Sequence, residues 1–128
     1  MPYRVTVSAR FEAAHNLVDF PGGPEPLHGH SYRVEAVLES EDLPQYGVAV
    51  DFVAANAALD AIAKEFDYKY MNEHPAFAGR NTSAENLARY FSERLEPWGR
   101  AAGARVTEVT VWEGPKNRAT FSRGDGRR

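Results

Sequence analysis

Hydrophobic and polar residues alternate from Tyr3 to Ala14 with the period of two that a half-buried strand requires. The face predicted to point inward carries Tyr3, Val5, Val7, Ala9, Phe11 and Ala13. The same alternation returns from His30 to Ser40. We therefore predict two long strands, and His15 and His30 continue the inward-facing parity of each one.

The middle of the chain changes to helical periodicity, with hydrophobic residues three or four positions apart. We predict a first helix from Phe52 to Phe66, with Asp51 as its N-cap. A second helix is predicted where Thr82 and Glu85 form a capping box, with Thr82 at the N-cap. It is predicted to stop before Pro97, because proline has no N–H for the helix ladder.

Two shorter strand patterns follow, from Val106 to Trp112 and from Arg118 to Arg123. The order of elements is then ββααββ, an α+β arrangement in a single domain covering residues 1–123. The segment from Tyr68 to Pro75 is predicted to be irregular, and residues 124–128 to form a disordered tail.

Charge and composition narrow the classes of function. The 128 residues carry a formal net charge of −3 and no long basic stretch, so we expect no nucleic-acid partner. No apolar run approaches the roughly 18 residues of a membrane span, and the start of the chain lacks a signal-peptide core. We expect a cytoplasmic protein with no membrane partner. The chain has no cysteine, so any metal site must use nitrogen and oxygen ligands.

Three histidines are candidates for a metal site. His28 and His30 lie two residues apart, so in a strand their side chains point to the same face. Antiparallel pairing of the first two strands would bring His15 beside them. Imidazoles that converge in this way can share one Zn²⁺ at ~2.0–2.1 Å per nitrogen. A His-x-His pair alone is also compatible with two ordinary polar side chains, and the third histidine favours zinc. His74 lies in a loop before Pro75 and is predicted to be solvated.

Two carboxylates occupy unusual positions. Glu113 ends the third strand pattern at a position whose parity points inward. A buried carboxylate needs a donor partner, which is either a structural salt bridge or a ligand with adjacent N–H groups. Glu25 lies between two prolines just before the histidines. The residues alone leave three interpretations of Glu25: a loop charge, a fourth metal ligand or a catalytic carboxylate.

Taken together, these motifs resemble the family of 6-pyruvoyltetrahydropterin and 6-carboxytetrahydropterin synthases. The resemblance runs nearly end to end, and its specificity comes from the order and spacing of short pieces. These are Phe11-Glu12-Ala13-Ala14-His15, His28-Gly29-His30, Val50-Asp51-Phe52, Phe66-Asp67, Met71-Asn72, Ser83-Ala84-Glu85-Asn86-Leu87-Ala88 and Val109-Thr110-Val111-Trp112-Glu113.

The resemblance implies a tunnelling fold, in which an antiparallel sheet carries two helices on one face. Sheets of three subunits close into a barrel, and two trimers stack into a hexamer, so the expected partner is a second copy of the chain in a trimer or hexamer. The resemblance also implies Zn²⁺ on His15, His28 and His30. It further implies that Glu113 holds a pterin-like small molecule, with Ser83 and Ala84 nearby, in active sites that lie between subunits.

The chain departs from the family pattern at two catalytic positions. The usual synthases carry a cysteine about four residues before the His-Gly-His run, where this chain has Pro24, and an Asp-His pair where it has Asp67 and Tyr68. The thiol chemistry of those enzymes is therefore not expected. One family variant has a glutamate three residues before the run and forms 6-hydroxymethyl-dihydropterin, and Glu25 occupies that position.

Three functions follow from this pattern. The first is a divergent lyase acting on a dihydropterin, with Glu25 as acid or base and with Asp67 and Tyr68 as further catalytic candidates. The second is a catalytically silent protein that binds a pterin or purine, which the missing cysteine and histidine favour. A generic zinc hydrolase is the weakest of the three, since it leaves Glu113 without a role.

Overall fold

Five strands form a single sheet in a computed structural model that describes residues 2–43 and 46–124. The strands are β1 (Tyr3–His15), β2 (His28–Ser40), β3 (Lys69–Tyr70), β4 (Arg105–Glu113) and β5 (Asn117–Ser122). Their order across the sheet is β3-β1-β2-β4-β5. All neighbouring pairs are antiparallel except β1 and β3, which run parallel.

The register between β1 and β2 brings the predicted metal ligands to one end of the sheet. His15 lies opposite His28, and Ala13 lies opposite His30. Because side chains alternate between faces along a strand, all three histidines point to the face that also carries the core. The predicted antiparallel pairing of the first two strands is confirmed.

Two helices cover this face of the sheet, α1 (Phe52–Ala63) and α2 (Ala84–Ala101). The Asp51 side chain accepts a hydrogen bond from the backbone N–H of Val53, which confirms Asp51 as the N-cap of α1. Inward residues of both long strands and of both helices form one continuous hydrophobic core. The fold is the predicted α+β arrangement, with both helices on one face of the sheet.

Helix α2 is longer than the sequence indicated, because it continues through Pro97 to Ala101. The proline removes the hydrogen bond to the carbonyl of Glu93, which is an exposed residue. Beyond it, the Glu96 carboxylate accepts the N–H of Val106 at 3.0 Å. Gly99 allows close packing, since a Cβ there would lie 3.4 Å from Val106. These tertiary contacts outweigh the cost of the proline, and the predicted stop before Pro97 is wrong.

Strand β3 was also not expected, since the segment from Tyr68 to Pro75 was predicted to be irregular. Tyr68 has a left-handed backbone with φ of 59°, and its N–H donates to the carbonyl of Glu12 at 2.6 Å. This turn places Lys69 and Tyr70 beside Ala13 and Ala14 of β1. This short strand therefore lies beside the end of β1 that carries His15.

Of the predicted disordered tail, only Gly124 is described, and residues 125–128 lie outside the described residues. Among the described helices, none has the length and apolar character needed to cross a membrane.

Candidate metal centre and ligand cavity

Three imidazoles converge at the end of the sheet. One nitrogen from each of His15, His28 and His30 falls within a group whose members all lie within 4.8 Å of one another. His15 is buried, with 2% of its surface exposed, and the other two are half-buried. Burial lowers the pKa of His15, and this outweighs the opposing effects of its hydrogen bond to Thr82 and of the Glu113 charge. The lowered pKa favours the neutral ring, which is the form that binds a metal.

Backbone carbonyls fix the orientation of two of these rings. Nδ1 of His15 lies 2.8 Å from the carbonyl oxygen of Thr82, and Nδ1 of His28 lies 2.8 Å from that of Pro26. A carbonyl only accepts hydrogen bonds, so each Nδ1 carries the proton and donates it. Each Nε2 is then left with a bare lone pair, and this arrangement of N–H and lone pair is typical of metal-bound histidine.

The two bare nitrogens face each other. Nε2 of His15 lies 3.1 Å from Nε2 of His28, and without a cation or a proton between them the two lone pairs would repel. Two nitrogens bound tetrahedrally to one zinc are roughly 3.3 Å apart, given Zn–N bonds of ~2.0–2.1 Å. Nε2 of His30 is buried without a hydrogen-bond partner among the described residues. The donor set and its spacing therefore fit Zn²⁺ with an open coordination position.

Glu113 lies beside this cluster, as its inward parity indicated. Its carboxylate oxygens lie 3.7 Å from Nε2 of His15 and 3.5 Å from Nε2 of His30. Across the sheet it pairs with Tyr32, whose buried hydroxyl also has no partner within the described part of the chain. Burial and the charges of Glu113 and Glu25 raise the pKa of Tyr32, so the phenol stays protonated. Unpartnered polar atoms thus cluster at this end of the molecule.

A cavity of about 310 Å³ opens beside the histidines. It brings together most of the predicted ligand and catalytic residues, and its lining includes His15, Glu25, Ser83, Ala84, Glu113 and Arg118. Glu25 is half-buried, and its Oε1 accepts the N–H of Leu17 at 2.9 Å. Ser83 is the N-cap of α2, and Ala84 is its first residue. The carboxylates of Glu25 and Glu113 therefore line one cavity together with the candidate metal ligand His15.

Asp67 and Tyr68 lie elsewhere in the same chain. The Asp67 carboxylate accepts the backbone N–H of Glu12 at 2.9 Å, which is a structural contact at the end of β1. Tyr68 is 83% exposed and lines a different surface depression, together with Gly29 and Ser31. Within one chain, neither residue is brought into the cavity that holds Glu25 and Glu113.

Two features were missed or misassigned from the sequence. Ser83 caps α2, because its hydroxyl accepts the N–H of Asn86 at 3.1 Å, and the predicted N-cap Thr82 is wrong. Thr82 is instead fully buried against His15. His74 was predicted to be solvated, but its Nε2 lies 3.0 Å from the carboxylate of Glu65. Both errors come from tertiary contacts that local patterns do not contain.

The model of a protein family, described as 6-pyruvoyl tetrahydropterin synthase, matches residues 4–124 of this chain. The chain belongs to this family. Among relatives of the family, the dihydroneopterin monophosphate aldolase of Pyrococcus furiosus is 30% identical over 114 residues, covering 89% of this chain and 92% of its own. The 6-carboxy-5,6,7,8-tetrahydropterin synthase of Synechocystis is 32% identical over 104 residues, covering 77% and 78%.

The fold of this family member also matches solved structures. A catalytic-residue variant of the Plasmodium vivax 6-pyruvoyltetrahydropterin synthase, in which a glutamate is replaced by alanine, aligns with a TM-score of 0.77. The alignment covers 96% of this chain and 98% of that one at 22% identity. The tunnelling fold implied by the sequence motifs is confirmed.

Proposed function

We propose that this protein is a zinc-dependent aldolase-type lyase that shortens the side chain of a 7,8-dihydroneopterin. The observation that carries the proposal is the position of Glu25. Its side chain lines the same cavity as His15 and Glu113, in a chain that has no cysteine to act in its place. Two relatives support this chemistry, one named for aldolase activity and one in which a glutamate is a catalytic residue.

The reaction would be a retro-aldol cleavage without net oxidation or reduction. Glu25 takes the proton of the hydroxyl on the second side-chain carbon, and the bond between the first and second carbons breaks. The second carbon becomes the carbonyl of a two-carbon aldehyde, and the electron pair passes to the first carbon and into the ring imine. Glu25 returns the proton to the first carbon, which leaves 6-hydroxymethyl-dihydropterin.

The histidines and Glu113 would have separate roles. His15, His28 and His30 would hold Zn²⁺, which when bound polarises the side-chain oxygens and favours their deprotonation. Glu113 would accept two N–H donors from the edge of the pterin ring, since a carboxylate binds two parallel N–H groups well. The start of α2, at Ser83 and Ala84, would bound the ring on the other side.

Tyr68 and Asp67 take part in this proposal only through a second subunit. Tyr68 is 83% exposed at the end of β1, so its hydroxyl is free to reach a neighbouring chain. Active sites between subunits are implied by the resemblance to the family. We propose that Tyr68 assists the site of an adjacent subunit while Asp67 supports its loop.

A silent pterin-binding protein is the second candidate. The observation that favours it is the replacement of the synthase cysteine and histidine by Pro24 and Tyr68. Both candidates predict pterin binding, so only turnover distinguishes them.

The test is to incubate zinc-loaded protein with 7,8-dihydroneopterin and its mono- and triphosphates and to identify the pterin and aldehyde products. We expect 6-hydroxymethyl-dihydropterin from the wild type. Loss of a general base costs on the order of 10²–10⁴-fold in rate, so Glu25→Gln should lose turnover by that factor and keep pterin affinity. Glu73→Gln, an exposed carboxylate outside this cavity, is the matched control. Wild-type protein that binds pterin but forms no product supports the silent binder.

A further inference from the structure

The side chain of Asn72 is clamped to the chain just after His15. The backbone N–H of Asn16 donates to Oδ1 of Asn72 at 3.2 Å, and Nδ2 of Asn72 donates to the Asn16 carbonyl at 2.8 Å. These two bonds fix which end of the amide is oxygen. They lie two residues beyond the last backbone pair of β3 and β1, which joins Tyr70 to Ala14.

Asn72 is connected to His15 through Thr82. The Thr82 hydroxyl donates to Oδ1 of Asn72 at 3.1 Å. A hydroxyl has one proton, so Oγ1 of Thr82 can only accept from Nδ1 of His15, which lies 3.2 Å away. The hydroxyl and the carbonyl of Thr82 therefore both require the proton on Nδ1. Nε2 of His15 is left to face the cluster.

Asn72 also supports Glu25, and it does so through Asn16. Asn16, held by Asn72, donates from its own Nδ2 to the carbonyl of Glu25 at 3.1 Å. The next residue, Leu17, donates its N–H to the Glu25 carboxylate at 2.9 Å and accepts the N–H of Glu25 at 2.9 Å. The segment that Asn72 clamps therefore fixes both the backbone and the carboxylate of Glu25.

We propose that Asn72 is a positioning residue that fixes the metal ligand His15 and the carboxylate Glu25 relative to each other. It touches neither the reacting atoms nor the metal-binding nitrogens and acts through Thr82 on one side and Asn16 on the other. The inference rests on the proposed function in taking His15 as a ligand and Glu25 as the base, and its geometry is independent of the substrate.

The first test is zinc affinity, measured on metal-free protein by competition with a chromophoric chelator. Loss of a supporting contact to a ligand typically weakens metal binding 10- to 100-fold, and we expect this for Asn72→Ala. Asn81→Ala is the matched control. Asn81 clamps the loop with the same pair of amide bonds, to the N–H and carbonyl of Asp19, and touches neither His15 nor Glu25. Its zinc affinity should stay within about two-fold of wild type.

A second pair of variants keeps the test decisive if Asn72→Ala fails to fold. Thr82→Val removes the hydroxyl at nearly constant volume and should weaken zinc binding, whereas Thr82→Ser keeps the hydroxyl and should restore it. Wild-type zinc affinity in Asn72→Ala, or in Thr82→Val if Asn72→Ala does not fold, would overturn the inference.

A third measurement separates this inference from the proposed metal centre. Long-range ¹H–¹⁵N NMR of the metal-free protein reports which nitrogen of His15 carries the proton. We expect the Nδ1–H form in wild type. In Asn72→Ala the Thr82 hydroxyl loses its acceptor and can donate to Nδ1 in competition with the Thr82 carbonyl, so part of the population should carry the proton on Nε2 instead. If the His15 tautomer changes in this way but the wild type binds no zinc, the proposed metal centre is contradicted and the positioning role of Asn72 still holds. An unchanged His15 tautomer in the folded Asn72 variant would contradict the inference itself.

Discussion

Glu113 is a charged residue at a position where its strand would otherwise place a buried hydrophobic side chain. Its carboxylate lies 3.7 Å from His15 and 3.5 Å from His30, and its side chain is 28% exposed and lines the cavity. Both distances are longer than an ordinary hydrogen bond, so neither histidine occupies the carboxylate. The carboxylate therefore has unused capacity for two N–H donors, which the ring edge of a pterin offers.

We predict that Glu113→Gln weakens pterin binding strongly and leaves folding nearly unchanged. The substitution is almost isosteric, but it replaces one acceptor oxygen with an N–H₂ group that opposes a donor of the ligand. The expected cost of about 2–4 kcal/mol corresponds to a thirty-fold to thousand-fold higher Kd.

Calorimetry at saturating zinc measures this affinity, with Glu108→Gln as control, because Glu108 is an exposed carboxylate on the same strand. Equal pterin affinity of Glu113→Gln and wild type would leave Glu113 as a structural carboxylate only.

Sequence patterns located the histidines of this site but not the residues that hold them in place. The parity of alternating residues was sufficient to align His15, His28 and His30 on one face, because parity follows directly from strand geometry. Thr82 and Asn72 gave no such signal. Their roles depend on hydrogen bonds between residues that are distant along the chain, and the capping pattern indicated a different role for Thr82.

At the scale of the elements, Glu65 joins three parts of the fold just after α1. Its carboxylate accepts hydrogen bonds from Tyr90 and Arg94 of α2 and from His74 in the intervening loop. Although burial raises the pKa of Glu65, these three hydrogen bonds lower it by more, so its pKa lies below the ordinary value. The network fixes α2 against the segment that carries β3 and Asn72.

We predict that the Glu65 network stabilises the fold at neutral pH and fails in acid. Because the folded pKa is lower than the unfolded value of ~4.3, the contribution is complete above that value and is lost as pH falls through the folded pKa. At pH 7, Glu65→Gln should lower the free energy of unfolding by about 1.5–3 kcal/mol.

Urea unfolding from pH 7 to pH 3 measures the effect, and the difference between wild type and Glu65→Gln should shrink toward acid. A difference that stays constant over this range would show that the charge of Glu65 does not stabilise the fold.

Element types were predictable from the sequence, and element ends were less so. Both long strands and both helices follow from periodicity, since burial of one face produces it directly. The extension of α2 to Ala101 depends on Glu96 and Gly99 contacting Val106, and β3 depends on the left-handed turn at Tyr68. Both are consequences of packing against other elements, which propensity and pattern do not encode.

At the scale of the whole molecule, the sheet has open edges. In the described part of the chain, β3 pairs with only Ala13 and Ala14 of β1, so most of that edge of β1 carries free backbone groups. Strand β5 forms the opposite edge. Exposed edges of this length favour pairing with another chain, and closure of a barrel between subunits removes them.

We predict that the protein assembles through these edges into a trimer or a hexamer. Light scattering coupled to size exclusion at micromolar concentration measures the mass, and the expected value is three or six times that of the 14.2 kDa chain. A stable monomer under those conditions would contradict the barrel, and it would also remove the proposed route for Tyr68 into a neighbouring site.

The most direct test of the account is a zinc titration of metal-free protein, with the rate of 6-hydroxymethyl-dihydropterin formation from dihydroneopterin measured at each step. If His15, His28 and His30 form one centre that works with Glu25, the rate should rise in proportion to added zinc and level off at about one zinc per chain, the stoichiometry of a single three-histidine site. Product formation that is equally fast without zinc, or absent at every zinc concentration, would contradict the account.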